Sequence, residues 1–137
     1  METTKTKLTV AELWALHGEL TGSEFPAQAG LLSQKLSLTT KFYLTKLAKI
    51  TGEHKTNFES VRNEKIKELG VADEKGTISV PDTIDGQVNE NYVALRNAVN
   101  ELLKVEEEIE HPVFNIEDFS AVETESFYPV FFKLLGL

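Results

Sequence analysis

From about Ala27 to Leu69 the chain contains no proline, and Leu36, Tyr43, Leu47, Ile50, His54, Phe58 and Val61 recur there at steps of three, four or seven residues. That period marks a helix with one apolar face. The sequence therefore predicts a helix over 27–69, with Pro26 suited to its first turn, and every other element has to be arranged around it. At 1.5 Å per residue such a helix would be about 64 Å long, more than a compact domain of this size usually accommodates. Gly52, preceded by Thr51, is where it would kink or break, because both residues are weak helix formers.

The remaining elements follow from caps and turn residues. Thr9-Val10-Ala11-Glu12 reads as a capping box opening a short helix over 8–22, with Leu13, Leu16 and Leu20 on one face and Thr21-Gly22 at its end. Gly70 closes the long helix. Residues 71–81 place turn formers at Asp73-Glu74-Lys75-Gly76 and β-formers after them, which predicts a small β excursion near 71–80. After a second turn over Pro81–Gly86, the residues Val88, Tyr92, Leu95, Val99, Leu102 and Ile109 keep a helical stripe, so an acidic helix is expected over 87–110. Residues 112–137 then form an apolar C-terminal arm, extended at Val113-Phe114-Asn115-Ile116 and ending in a short helix that tolerates Pro129 only in its first turn. The expected fold is a single mainly α domain over 1–137. In it the acidic helix folds back antiparallel on the long one along a shared apolar seam.

Charge is distributed unevenly. Residues 1–81 carry 11 basic and 10 acidic groups, whereas residues 82–125 carry 2 basic and 12 acidic. A phosphate backbone would be repelled by the second segment, which argues against nucleic-acid binding, although Lys35, Lys41, Lys46, Lys49 and Lys55 form a local basic stripe. No apolar run is long enough to predict a membrane span, and Met1-Glu2-Thr3-Thr4-Lys5 does not read as a signal peptide. Synthesis in a cytoplasm is the expectation. With no cysteine, disulfides, thiolate metal sites and thiol nucleophiles are excluded.

No catalytic constellation emerges from the residues. Glu106, Glu107, Glu108 and Glu110 are the densest carboxylates, but successive helix positions diverge by about 100°, so they read as a solvated face. Asp73-Glu74-Lys75-Gly76 lacks the alternating oxygen ligands and closing Glu of a calcium loop. His17, His54 and His111 have no second histidine at ligand spacing, and His54 reads as a core or edge residue on the apolar stripe. No serine-nucleophile, phosphate-loop or zinc-protease motif occurs. These readings predict no enzyme activity, no cofactor and no bound metal.

The chain ends on SFYPVFFKLLGL, and Phe127, Tyr128, Val130, Phe131, Phe132, Leu134, Leu135 and Leu137 are apolar on nearly every side. One face is expected to pack on the chain's own core, and the rest to form an interface with a copy or a partner.

Lys46-Leu47-Ala48-Lys49-Ile50, Phe58-Glu59 with Arg62, Gly70 with Asp73-Glu74 and Gly76, Asn100-Glu101-Leu102-Leu103 with Glu106 to Ile109, and Ile116-Glu117-Asp118-Phe119 together resemble a family of small, largely uncharacterised bacteriophage proteins. The resemblance covers roughly residues 40–119. It implies a helical hairpin encoded in a phage genome, with no activity to transfer to any residue. The function expected on these grounds is that of a non-enzymatic phage protein acting through protein–protein contacts. It would be a head, neck or tail component or an assembly factor, made in the host cytoplasm and either left there or incorporated in the virion. It would bind itself or another phage structural protein. The alternative is a host-directed inhibitor whose acidic 82–125 segment occupies a basic surface.

Overall fold

The computed structural model describes residues 2–24, 27–122 and 128–136. In chain order the elements are β1 (Thr3–Thr9), α1 (Val10–Thr21), β2 (Ser23–Glu24), β3 (Ala27–Gln28), α2 (Leu38–Leu69), β4 (Val71–Ala72), β5 (Ile78–Ser79), β6 (Thr83–Ile84), β7 (Gln87–Val88), α3 (Glu90–Leu103), β8 (Glu106–Pro112) and α4 (Pro129–Leu134), with 3₁₀ turns at Leu31–Ser33 and Ile116–Phe119. Helix accounts for 56% and strand for 20% of the described residues, the strands among them forming four two-stranded antiparallel sheets. This corrects the expected mainly α helical hairpin. The chain divides into two compact units, one of residues 1–55 and 106–137 and one of residues 56–105.

In the first unit, β1 and β8 pair in full register from Thr3 opposite Pro112 to Thr9 opposite Glu106. Two expected helices are thereby shortened. The first begins at Val10 instead of residue 8, and the acidic helix ends at Leu103, because 106–112 is a strand. Alternation explains the strand's faces: Glu106, Glu108 and Glu110 point to solvent, while Ile109 and His111 point inward. The Thr9 cap is present in both directions, its hydroxyl accepting from the Glu12 amide at 3.1 Å and its own amide donating to Glu12 Oε1 at 3.1 Å.

The long helix also starts later than residue 27. Its N-terminus is fixed by Ser37, whose Oγ accepts from the Thr40 amide at 3.1 Å; before it lie the β2–β3 hairpin and a 3₁₀ turn. Gly30 sits where an added Cβ would lie 2.5 Å from backbone atoms of Leu20, Thr21 and Gly22. Gly30→Ala should therefore force the hairpin off α1 and destabilise the unit by about 1–3 kcal/mol, read as a lowered thermal midpoint.

Gly52 does not break α2, which is helical from Leu38 to Leu69. The glycine serves close approach instead: a Cβ there would come within 3.1 Å of the His17 ring. Next to it, the buried Thr51 hydroxyl donates to the Ala48 carbonyl and lies 3.0 Å from His17 Nδ1, which donates to it. The buried side of α2 in this unit is thus Thr40, Leu44, Leu47 and Thr51, rotated from the expected stripe.

The core joins Leu13, Leu16 and Leu20 of α1, Leu44 and Leu47 of α2, and Leu8 and Ile109 of the ribbon to the C-terminal arm. Phe114, Phe119 and Phe131 meet edge to face, with centroids 5.0–6.1 Å apart, an arrangement favoured by the ring quadrupoles.

The second unit is built from local turns. Asp73 Oδ1 accepts from the Lys75 and Thr77 amides at 2.8 and 2.9 Å, closing the β4–β5 hairpin. Asp85 and Gly86 (φ 51° and 78°) form the two-residue loop of β6–β7, a left-handed pair that an Asp-Gly sequence adopts at low cost. Asn89 then caps α3, its Oδ1 accepting from the Asn91 amide. No side chain of α3 is buried; Tyr92, Leu95, Val99 and Leu102 are half-buried, and Phe58 is the unit's one buried apolar residue.

Candidate interaction surfaces

The C-terminal arm shows how its apolar residues are held. Helix α4 packs on α1, and two α1 carboxylates seven residues apart grip its two ends. Glu19, buried, accepts from the Val130 amide at 3.2 Å through one oxygen and from the Phe131 amide at 2.9 Å through the other. These are free amides of a helix start, natural partners for a carboxylate. Burial pushes the Glu19 carboxyl above its ordinary range, and the two amides oppose that shift. At the other end Lys133 donates to Glu12 Oε2 at 2.6 Å. That bond holds the Glu12 carboxyl below its ordinary range, against some desolvation and with help from the Thr9 cap. Tyr128 completes the attachment, its hydroxyl donating to the Ala29 carbonyl at 2.7 Å and accepting from Gln34 Nε2 at 3.0 Å.

The residues expected at an interface consequently divide. Tyr128 and Phe131 are fully buried in the chain's own core, and Val130, Phe132, Leu134 and Leu135 are half-buried against it. Phe127 and Leu137 lie outside the described residues. Glu19 escaped the sequence reading, although a charged residue between Leu16 and Leu20 on an apolar helix face was the available signal.

The groups weighed for chemistry are dispersed. His111 is buried, its Nδ1 donating to the Pro112 carbonyl at 2.9 Å and its Nε2 2.8 Å from the Thr6 hydroxyl, which pins β8 to β1. His17 bonds Thr51, and His54 is half-buried on α2. Among the described residues no cluster of three or more His, Asp or Glu could hold a metal ion, and no helix is long and apolar enough to cross a membrane.

Two surfaces remain uncovered. In the second unit Val61, Val71, Ile78, Ile84, Val88 and Val105 are exposed; in the first, Val113 and Ile116 are exposed just before and at the start of the second 3₁₀ turn, and Leu38 and Phe42 stand out at the start of α2, 87% and 56% exposed. Set against family models, curated proteins and solved structures, the chain finds no match in any of the three.

Proposed function

We propose that the chain is a non-enzymatic interaction protein that associates with itself or with another structural protein through its second unit. The observation that carries this reading is a mismatch of apolar surface. Of the fourteen buried hydrophobic residues among those described, only Phe58 belongs to residues 56–105, yet that unit holds six of the ten large hydrophobics that are exposed. A unit that leaves so much of its apolar surface in water gains stability when a second surface covers it.

The phage setting, as a head, neck or tail component or assembly factor, rests on the resemblance of residues 40–119. The acidic-inhibitor alternative has less support, because Lys7 faces Glu108 and Lys5 faces Glu110 across the β1–β8 register and divides that acidic row.

Light scattering on the full chain tests the reading. A defined oligomer, or a complex with a phage structural protein, is expected, and Ile84→Glu with Val88→Glu should abolish it without changing the far-ultraviolet circular dichroism. A monodisperse monomer that binds no such protein overturns it.

A further inference from the structure

Between Glu24 and Glu53 the sequence has no acidic residue and four lysines, Lys35, Lys41, Lys46 and Lys49, in a chain whose net charge is −8. None of the four makes an ion pair with a described residue. The first turns of α2 arrange part of this stretch with order. At about 100° per residue, Leu38, Phe42, Thr45, Lys46 and Lys49 fall within an arc of about 100°, while the buried Thr40, Leu44, Leu47 and Thr51 occupy the opposite side. Leu38 and Phe42 are four residues apart, so their side chains are neighbours on the surface. Phe42 meets Tyr43 edge to face at 5.2 Å, and the Lys46 ammonium lies 4.8 Å from the Phe42 centroid and 5.6 Å from that of Tyr43.

The same helix edge forms one wall of a cleft of about 440 Å³ within the first unit. Tyr43, Lys46 and Ile50 face Glu110, His111 and Pro112 across it. The His111 nitrogens are committed within the ribbon, and Glu110 accepts from the Thr3 hydroxyl at 2.9 Å. The cleft thus has Tyr43, Ile50 and Pro112 in its lining, a cationic rim on α2 that no carboxylate among the described residues pairs, and an opposite carboxylate with a partner.

We propose that this α2 face and its adjoining cleft bind an acidic segment of a partner protein, an aromatic or aliphatic side chain of that segment entering beside Tyr43 and Ile50 while its carboxylates meet Lys46 and Lys49. The inference rests on the interaction-protein reading and adds a second surface with a partner of defined chemistry. Exposed aromatic pairs act as anchors in such contacts, and rim lysines set orientation and rate of encounter more than affinity. Glu110 at the far rim disfavours a carboxylate there and so fixes which way the segment lies.

The test uses the full chain and a fluorescent twelve-residue peptide alternating Glu with Leu and Phe, with a Lys-for-Glu version and phosphatidylserine vesicles as comparisons. The Glu peptide should bind, with anisotropy falling as salt rises and amide shifts confined to residues near 38–50 and 110–112. Phe42→Ser and Lys46→Glu, at exposed positions where the fold is retained, should each weaken it at least tenfold. Equal binding of the Lys peptide, indifference to both substitutions, or binding to vesicles alone would overturn the assignment. Light scattering on the full chain and the same variants separates the two ideas. In the unsubstituted chain, no peptide binding with self-association intact removes only this surface, and a monomer that binds the peptide removes the second-unit reading and keeps this one. In the two variants, peptide binding lost with self-association intact supports both.

Discussion

A chain ending at Glu125 should lose the cooperative fold of its first unit, and Phe131→Ala in the full chain should lower the unfolding free energy by about 3–5 kcal/mol. Phe131 is fully buried and meets the rings of Phe114 and Phe119, so its removal takes away transfer free energy and leaves a cavity between rigid neighbours. Natural domains have only about 5–15 kcal/mol in hand, which makes this a large fraction. Truncation removes Tyr128 as well, and with it the hydroxyl that accepts from Gln34 Nε2. Fluorescence of Trp14, the single tryptophan and a residue of α1, followed through denaturant unfolding, reads both effects. A truncated chain that unfolds with an unchanged midpoint would show that the arm is dispensable to the core and return it to the role of an interface.

Glu19→Ala should be the most damaging single change to a polar side chain. It leaves the Phe131 amide buried without an acceptor and the Val130 amide partly so, and each orphaned buried group costs about 1–3 kcal/mol. Glu19→Gln keeps one acceptor oxygen and should cost less. The pH dependence has a definite sign. Burial raises the folded-state pKa of Glu19 above the ordinary 4.5, so the folded protein holds this proton more tightly than the unfolded chain. The stability that results is fully present below 4.5 and is lost as pH rises through the folded value. Glu12 behaves oppositely, since its lowered pKa gives stability that is present above 4.5 and lost as pH falls through the folded value. Relative to Glu19→Gln, the native chain should therefore gain stability as pH falls from neutral toward 4.5. A difference that stays flat across that window would show that Glu19 carries no ionisation linkage.

What was legible in the sequence was whatever a few neighbouring residues decide. The Thr9–Glu12 box and the turns at Asp73 and at Asp85-Gly86 are made by side chains and amides within a few positions of one another. Features depending on distant partners were hidden. Glu106-Glu107-Glu108 is as compatible with helix as with strand until β1, about a hundred residues earlier, supplies the ladder. Thr40 and Thr51 are buried on α2 while Val61 is exposed, since a threonine hydroxyl can bond within its own helix, as Thr51 does to Ala48. Gly52 is explained by the His17 ring, not by its own backbone freedom. The exposed positions were legible only in part: the lysine stripe showed, but Leu38 and Phe42 gave no sign of lying off the buried side, and nothing in the terminal apolar run set the buried Tyr128 and Phe131 apart from their half-buried neighbours.

The pairing of β1 with β8 sets a timetable for biogenesis. Leu8 waits for Ile109 and its neighbours, which emerge about a hundred residues later, or about 5–20 s at the usual pace of translation. During that interval Leu13, Leu16 and Leu20 have α2 available to cover them but not the terminal aromatics, so the nascent chain exposes a half-finished core. Residues 56–105 need no such wait, since their hairpins close locally. Residues 56–105 can thus be folded on the ribosome while the first unit still lacks the strand and the terminal aromatics that complete its core.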